Sequence, residues 1–206
     1  SSTPHREEDG SVVWDGIAMD ITERKLTEER IRRITFHDSL TGLYNRRYLE
    51  EEMERLDRKE QFPLSLIMAD SNGLKLVNDT YGHAVGDEML RRIAQILEEA
   101  SGSYGPIGRW GGDEFLLLLP RTKIFQAGKV CAHIMEQCAS ARVRDIPLSI
   151  SLGMAEKISE EQSLSDILSR AEDDMYKRKL GESRSARRGV VSALLKALGA
   201  KSCETE

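Results

Sequence analysis

The 206-residue sequence is poor in proline, with 5, poor in aromatic side chains, at 5%, and carries only 3 cysteines. Few prolines leave room for uninterrupted helices and strands. The cysteines, Cys131, Cys138 and Cys203, are odd in number and have no CxxC spacing, which argues against a disulfide framework and against a zinc ribbon. Cys131 and Cys138 fall seven apart on one apparent helix and read as small buried hydrophobes in a reducing compartment. Positive charge is also short, 30 Lys and Arg against 35 Asp and Glu for a net charge of −5, so nucleic acid is disfavoured as principal partner. No apolar run approaches the roughly 18–20 residues that span a bilayer, and no charged-then-apolar leader opens the chain. The chain therefore reads as soluble, without membrane insertion, and a cytoplasmic location is expected. What is present, 39% apolar and 32% charged residues, suits one globular domain with extensions.

The extensions differ in character from the centre. Gly10 to Asp20 reads as a single strand with alternating character at Trp14, Ile17 and Met19. Thr22 to Arg33 is mostly charged, with Leu26 and Ile31 forming a thin apolar seam that continues at Ile34 and Phe36; a solvated helix is expected, capped by Asp20 or Thr22 with Glu23 completing a capping box. From residue 37 the expected elements are a helix over 45–59, a buried strand over 63–69, helices over 74–81 and 84–101, extended runs over 105–110 and 114–119, a helix over 122–140, a strand over 147–156 and a helix over 163–179. The order α-β-α-α-β-β-α-β-α predicts an α+β fold, a ferredoxin-like sandwich with a mixed sheet and helices on one face.

Two turns concentrate acidic residues. Asp70 comes where an apolar strand ends, and Ser71-Asn72-Gly73 leads into a helix near Leu74. A carboxylate there can hold a divalent cation while the helix-start N–H groups face phosphate oxygens, with Gly73 allowing close approach and Lys75 adding a cation. A capping Asp before a glycine turn also occurs with no ligand at all. The second turn, Gly111-Gly112-Asp113-Glu114, sets two carboxylates at a hairpin tip before the apolar run Phe115 to Leu119. A metal shared between Asp113 and Asp70 gives these acids a use, both glycines are expected to supply positive φ, and hard oxygen donors beside phosphate imply Mg²⁺ or Mn²⁺.

The motifs RWGGDEF at 109–115, DSLTGLYNRR at 38–47 and DSNGLKLVNDTYGHAVGD at 70–87 together resemble the GGDEF family of diguanylate cyclases, over about residues 37–185. The resemblance implies a palm-like nucleotide-cyclase fold and the condensation of two GTP into cyclic di-GMP with release of two pyrophosphates. It implies two Mg²⁺ or Mn²⁺ per half-site, held by Asp70, Asp113 and the Ser71 carbonyl, with Asp113 or Glu114 accepting the proton of the attacking 3′-hydroxyl. Gly73, Leu74 and Lys75 would cradle the β- and γ-phosphates, and Lys179 and Arg184 would add phosphate contacts. Asn78 and Asp87 would read the guanine edge, Asp87 accepting from a donor pair that adenine lacks. His83 is a weaker candidate, as a histidine packing the helix junction or touching the nucleotide. One GTP per domain implies a homodimer for turnover. Residues 1–21 resemble the end of a PAS sensor domain, which implies an upstream sensor and a linker helix over 22–36 able to pair with its twin. The tail over 186–206 contains an amphipathic stretch, Val190 to Leu198, expected to form a helix that docks on the body.

Two stretches depart from the family pattern. Many members carry Arg-x-x-Asp ahead of the double glycine, where product binds and inhibits; Gly102 and Gly105 stand there in this chain, so no feedback inhibition is expected through that site. In the last helix, Ser183 takes the usual arginine position and Arg184 follows it. A domain that binds GTP or a partner and relays a signal without turnover is the alternative; intact acids at 70, 87, 113 and 114 favour the enzyme.

Overall fold

The computed structural model describes residues 2–16, 20–180 and 191, and divides into two units, Ser1–Thr35 and Phe36–Glu206. In the first unit, β1 (Ser2–Arg6) and β2 (Val12–Gly16) form an antiparallel hairpin with Ser2 opposite Gly16. The single strand expected over 10–20 is thus the second arm of a pair, and its partner supplies the main-chain hydrogen bonds that a lone strand would lack. Helix α1 (Thr22–Phe36) follows, with Thr22 N–H donating to Asp20 Oδ1 at 2.9 Å. Asp20 rather than Thr22 therefore supplies the capping oxygen. None of the residues of α1 is buried, and Leu26, Ile31 and Ile34 are exposed.

The second unit is built on a five-stranded sheet in the order β3-β5-β6-β4-β9, where β3 is Tyr44–Asn45, β4 Leu64–Ser71, β5 Ile107–Gly111, β6 Glu114–Leu119 and β9 Ile150–Lys157. Only β3 and β5 run parallel. Every residue of β4 is buried, and so is every residue of β6 after Glu114. A strand without polar alternation must be covered on both sides. Accordingly the helices lie on both faces, not on one as the element order suggested. On one face Ile67, Ala69, Phe115, Leu117 and Leu119 meet α4 (His83–Ser101) and α5 (Ile124–Ser140). On the other, Leu64, Leu66, Met68, Leu116 and Leu118 meet α2 (Arg46–Leu56) and a sixth helix over 164–180, α6, through Leu49, Met53, Ile167 and Met175.

The element order otherwise follows the sequence, with α3 at Leu74–Tyr81. A small hairpin of β7 (Arg142–Val143) and β8 (Ile146–Pro147) precedes β9 where one longer strand was expected. Its turn carries no glycine; Arg144 adopts φ 52° instead, which is why turn chemistry did not reveal it. Among the described residues no helix is long and apolar enough to cross a membrane. The tail expected over 186–206 lies outside the described residues apart from Val191.

Candidate active site

The site forms at one end of the sheet because register brings three acids together. Strands β4 and β6 pair with Asp70 directly opposite Glu114, and Ser151 of β9 flanks Asp70 on its other side. The two-residue turn Gly112-Asp113 closes the β5–β6 hairpin, and Ser71 N–H donates to the Asp113 carbonyl at 3.0 Å. Only Gly112 of the two glycines has positive φ, 34°; Gly111 ends β5 opposite Glu114 in extended backbone. The turn is further held by Arg109, whose Nε and Nη2 donate to the Gly112 carbonyl at 2.9 and 2.6 Å while Nη1 lies 3.3 Å from both carboxylate oxygens of Asp38.

Asp70 is 4% exposed, and its Oδ1 pairs with Lys179 Nζ of α6 at 2.6 Å. Burial pushes its carboxyl up to about 6, with Asp113 and Glu114 adding to the shift and Lys179 opposing it. One ammonium is thus less positive charge than this cluster calls for. All the donors are hard oxygens, and together with that deficit they fit a divalent cation better than a soft metal. The described residues contain no group of three or more His, Cys, Asp or Glu side chains arranged for a metal, so a ligand set would draw on the Ser71 carbonyl and on substrate oxygens.

Beside the acids lies a cavity of about 620 Å³, lined by Ser71, Gly73, Leu74, Lys75, Asp113 and Lys179 among others. That size suits a small-molecule ligand. Gly73 caps α3 with φ 83°, a left-handed conformation that turns the chain from β4 into the helix. The first intrahelical bond runs from Val77 N–H to the Gly73 carbonyl, so the preceding N–H groups of the first turn have no partner within the helix.

Asn78, His83 and Asp87 lie outside this lining, at the α3–α4 corner. His83 is exposed and Asp87 half-buried. The buried Asn78 Oδ1 has no hydrogen-bond partner among the described residues. It sits so close to Gly86 of α4 that a Cβ there would fall 1.9 Å from it, so a side chain at position 86 would displace the Asn78 amide. Arg184 lies outside the described residues. Position 105 is closed by backbone: a Cβ on Gly105 would fall 2.1 Å from the Leu118 carbonyl oxygen. The sequence reading missed Asp38, Arg109 and Asn72, although all three sit inside the motifs that it singled out.

The chain matches the model of the diguanylate cyclase GGDEF domain over residues 35–185. It is 36% identical over 169 residues to diguanylate cyclase DgcM of Escherichia coli K12, covering 79% of this chain and 40% of DgcM. To diguanylate cyclase VdcA of Vibrio cholerae it is 32% identical over 174 residues, covering 81% of this chain and 51% of VdcA. The chain thus spans about half or less of the length of these relatives. Among solved structures it resembles diguanylate cyclase SiaD of Pseudomonas aeruginosa, determined with its activator SiaC, at 35% identity and TM-score 0.65 over 78% of this chain and 66% of that one. The coiled coil and GGDEF domain of DgcB from Caulobacter crescentus, at 24% identity, shares the fold with TM-score 0.71 over 78% of this chain and 89% of that one.

Proposed function

The chain belongs to the GGDEF diguanylate cyclase family, and from that premise we propose that it condenses two GTP into cyclic di-GMP with release of two pyrophosphates. In each step a 3′-oxygen forms a bond to the α-phosphorus of the other GTP, the bond from that phosphorus to the bridging oxygen of pyrophosphate breaks, and the hydroxyl proton passes to a carboxylate. The observation that carries the reading is the bond from Ser71 N–H to the Asp113 carbonyl, at 3.0 Å, which joins the acidic turn to the end of β4 beside the open N-terminus of α3.

The roles are those that the family motifs imply for the matching residues of this chain. Asp113 or Glu114 accepts the proton. N–H groups of Gly73 and Leu74, with Lys75, hold the β- and γ-phosphates at the positive end of α3. Two Mg²⁺ or Mn²⁺ would be held by Asp70, Asp113 and the Ser71 carbonyl, and when bound would supply positive charge where the α-phosphate gains negative charge. Lys179, which pairs with Asp70 in the structure, would contact a phosphate oxygen, with Arg184 as a second phosphate contact. Asn78 and Asp87 read guanine at the α3–α4 corner, and His83 packs that corner or touches the base.

One domain holds one GTP, so turnover needs two domains face to face, and positioning both nucleotides supplies much of the rate. A 15-residue helix that buries nothing is marginal alone in water, and the exposed Leu26, Ile31 and Ile34 of α1 favour pairing with a second copy. The β1–β2 hairpin ahead of it supports reading residues 1–21 as the end of a PAS sensor domain. Cyclic di-GMP does not inhibit through the 102–105 turn, since Gly102 and Gly105 leave it without the arginine and aspartate of the inhibitory motif. Calorimetry that finds tight product binding at this turn, lost on mutating its neighbours, would overturn that statement.

Chromatography of nucleotides after incubating the dimeric protein with GTP and Mg²⁺ tests the whole reading. A cyclic dinucleotide is expected, and Asp113→Ala should reduce turnover by at least ~100-fold. Bound GTP without product would instead favour a relay domain.

A further inference from the structure

Between the last residue of β4 and the first of α3 lie only Asn72 and Gly73. Asn72 is 3% exposed and is held to the start of β9 through three hydrogen bonds. Its main-chain N–H donates to the Ser149 carbonyl at 2.9 Å, and its Nδ2 to Ser149 Oγ at 3.0 Å. Its Oδ1 accepts from Ser151 Oγ at 3.0 Å. Ser151 is fully buried and stands next to Asp70 in the ladder. An asparagine in an ordinary connecting turn satisfies its amide with water or with its own backbone two residues on. This one instead reaches residues 77 and 79 positions away, and both ends of its amide are engaged by hydroxyls.

The anchored residue occupies a sensitive place. On its N-terminal side Ser71 is tied to the Asp113 turn. Beyond it, Gly73 turns by its left-handed φ, and the direction taken by the first N–H groups of α3 depends on where that turn starts. A glycine hinge has no side chain to hold its own orientation. We infer that Asn72 is a positioning residue, which aims the Gly73 and Leu74 N–H groups and the Lys75 side of the first turn at the triphosphate by pinning the β4–α3 turn to Ser149 and Ser151. The inference rests on reading the α3 N-terminus as the triphosphate cradle. Loss of the pin leaves the acids in place on their strands and loosens the phosphate grip, so it acts on substrate binding before it acts on chemistry.

Kinetics on the full chain, at a fixed protein concentration with the dimer fraction verified, test this with Asn72→Ala, Ser149→Ala and Ser151→Ala. Asn72→Ala should raise the GTP KM about tenfold while kcat at saturating GTP stays within about threefold, because a displacement of around an ångström in a positioning group suffices for changes of this order. Each serine variant should shift KM the same way by less, and neither should add to the effect of Asn72→Ala, as expected for members of one contact. A purely structural asparagine would lower Tm and leave KM within twofold of wild type; that result overturns the inference, as does full additivity with the serine variants. If wild type binds GTP but makes no cyclic dinucleotide, the cyclase reading fails alone, and calorimetry with GTP still decides on Asn72: about tenfold weaker binding supports it, equal binding overturns it. Absence of GTP binding by wild type overturns both.

Discussion

Two aspartates of the second unit each face a basic side chain, Asp38 with Arg109 and Asp70 with Lys179, yet their carboxyl groups move in opposite directions. At the loop between α1 and β3, burial disfavours the charged form of Asp38, but Thr41 N–H and Oγ1 donate to it at 2.9 and 2.7 Å and the Arg109 guanidinium lies beside it, so the net shift is downward. At the sheet end, burial outweighs Lys179, and the acids Asp113 and Glu114 add to it, so Asp70 rises to about 6. The Lys179 pair is the shorter, at 2.6 against 3.3 Å, so distance does not set the direction. Asp38 has what it needs from its own neighbours and serves stability; Asp70 is left short of positive charge, which is the condition of a site awaiting a ligand.

The two positions should separate under substitution. Asp70→Asn should abolish turnover, by at least ~100-fold, while leaving Tm equal or higher, because an ionised carboxylate held among other acids costs stability. Mg²⁺ should raise the Tm of wild type and not of this variant. A variant that unfolds but turns over normally when folded would break the comparison. Asp38→Asn should do the reverse, costing about 1–3 kcal/mol in denaturant unfolding with a smaller loss of activity.

The pH dependence of stability sharpens the Asp38 half. A depressed carboxyl contributes stability that is present above its unfolded pKa of roughly 3.9 and is lost as pH falls through the folded value. Wild type should therefore lose more stability than Asp38→Asn on acidification below about pH 4; parallel curves would remove Asp38 as the cause. The smallest effect belongs to Arg24 and Glu28 on α1, which are 2.8 Å apart but 80% and 60% exposed. Arg24→Ala should change unfolding free energy by no more than about 0.5 kcal/mol, since water screens such pairs. A larger change would mean that distance alone, rather than burial and neighbours, sets what an ion pair does here.

Much of the site is legible in the chain because its parts are local. Asp70 ends an apolar run, Gly73 precedes a helical pattern, and Gly112-Asp113 joins two extended stretches, so each could be placed on its element from neighbours within a few residues. The missed groups act across long separations. Arg109 reads as an unremarkable cation before a hairpin until it is seen on the Gly112 carbonyl and beside Asp38, 71 positions away. Asn72 reads as a turn former. The single-faced helical layer was expected from element order alone, although the unbroken apolar run Phe115 to Leu119 already called for cover on both sides.

The sequence by itself determined the kinds and order of the longer elements from α2 to α6, the three motifs and the absence of bulk positive charge, because periodicity and turn chemistry act over one or two helical turns or a single strand. Tertiary structure alone decided that Asp70 stands opposite Glu114, that Lys179 closes on Asp70 from a helix more than 100 positions on, and that Asn72 is pinned to Ser149 and Ser151 at the start of a distant strand. Register and crossover set those meetings, and a one-residue slip of β4 against β6 would send Asp70 to the opposite face of the sheet from Glu114.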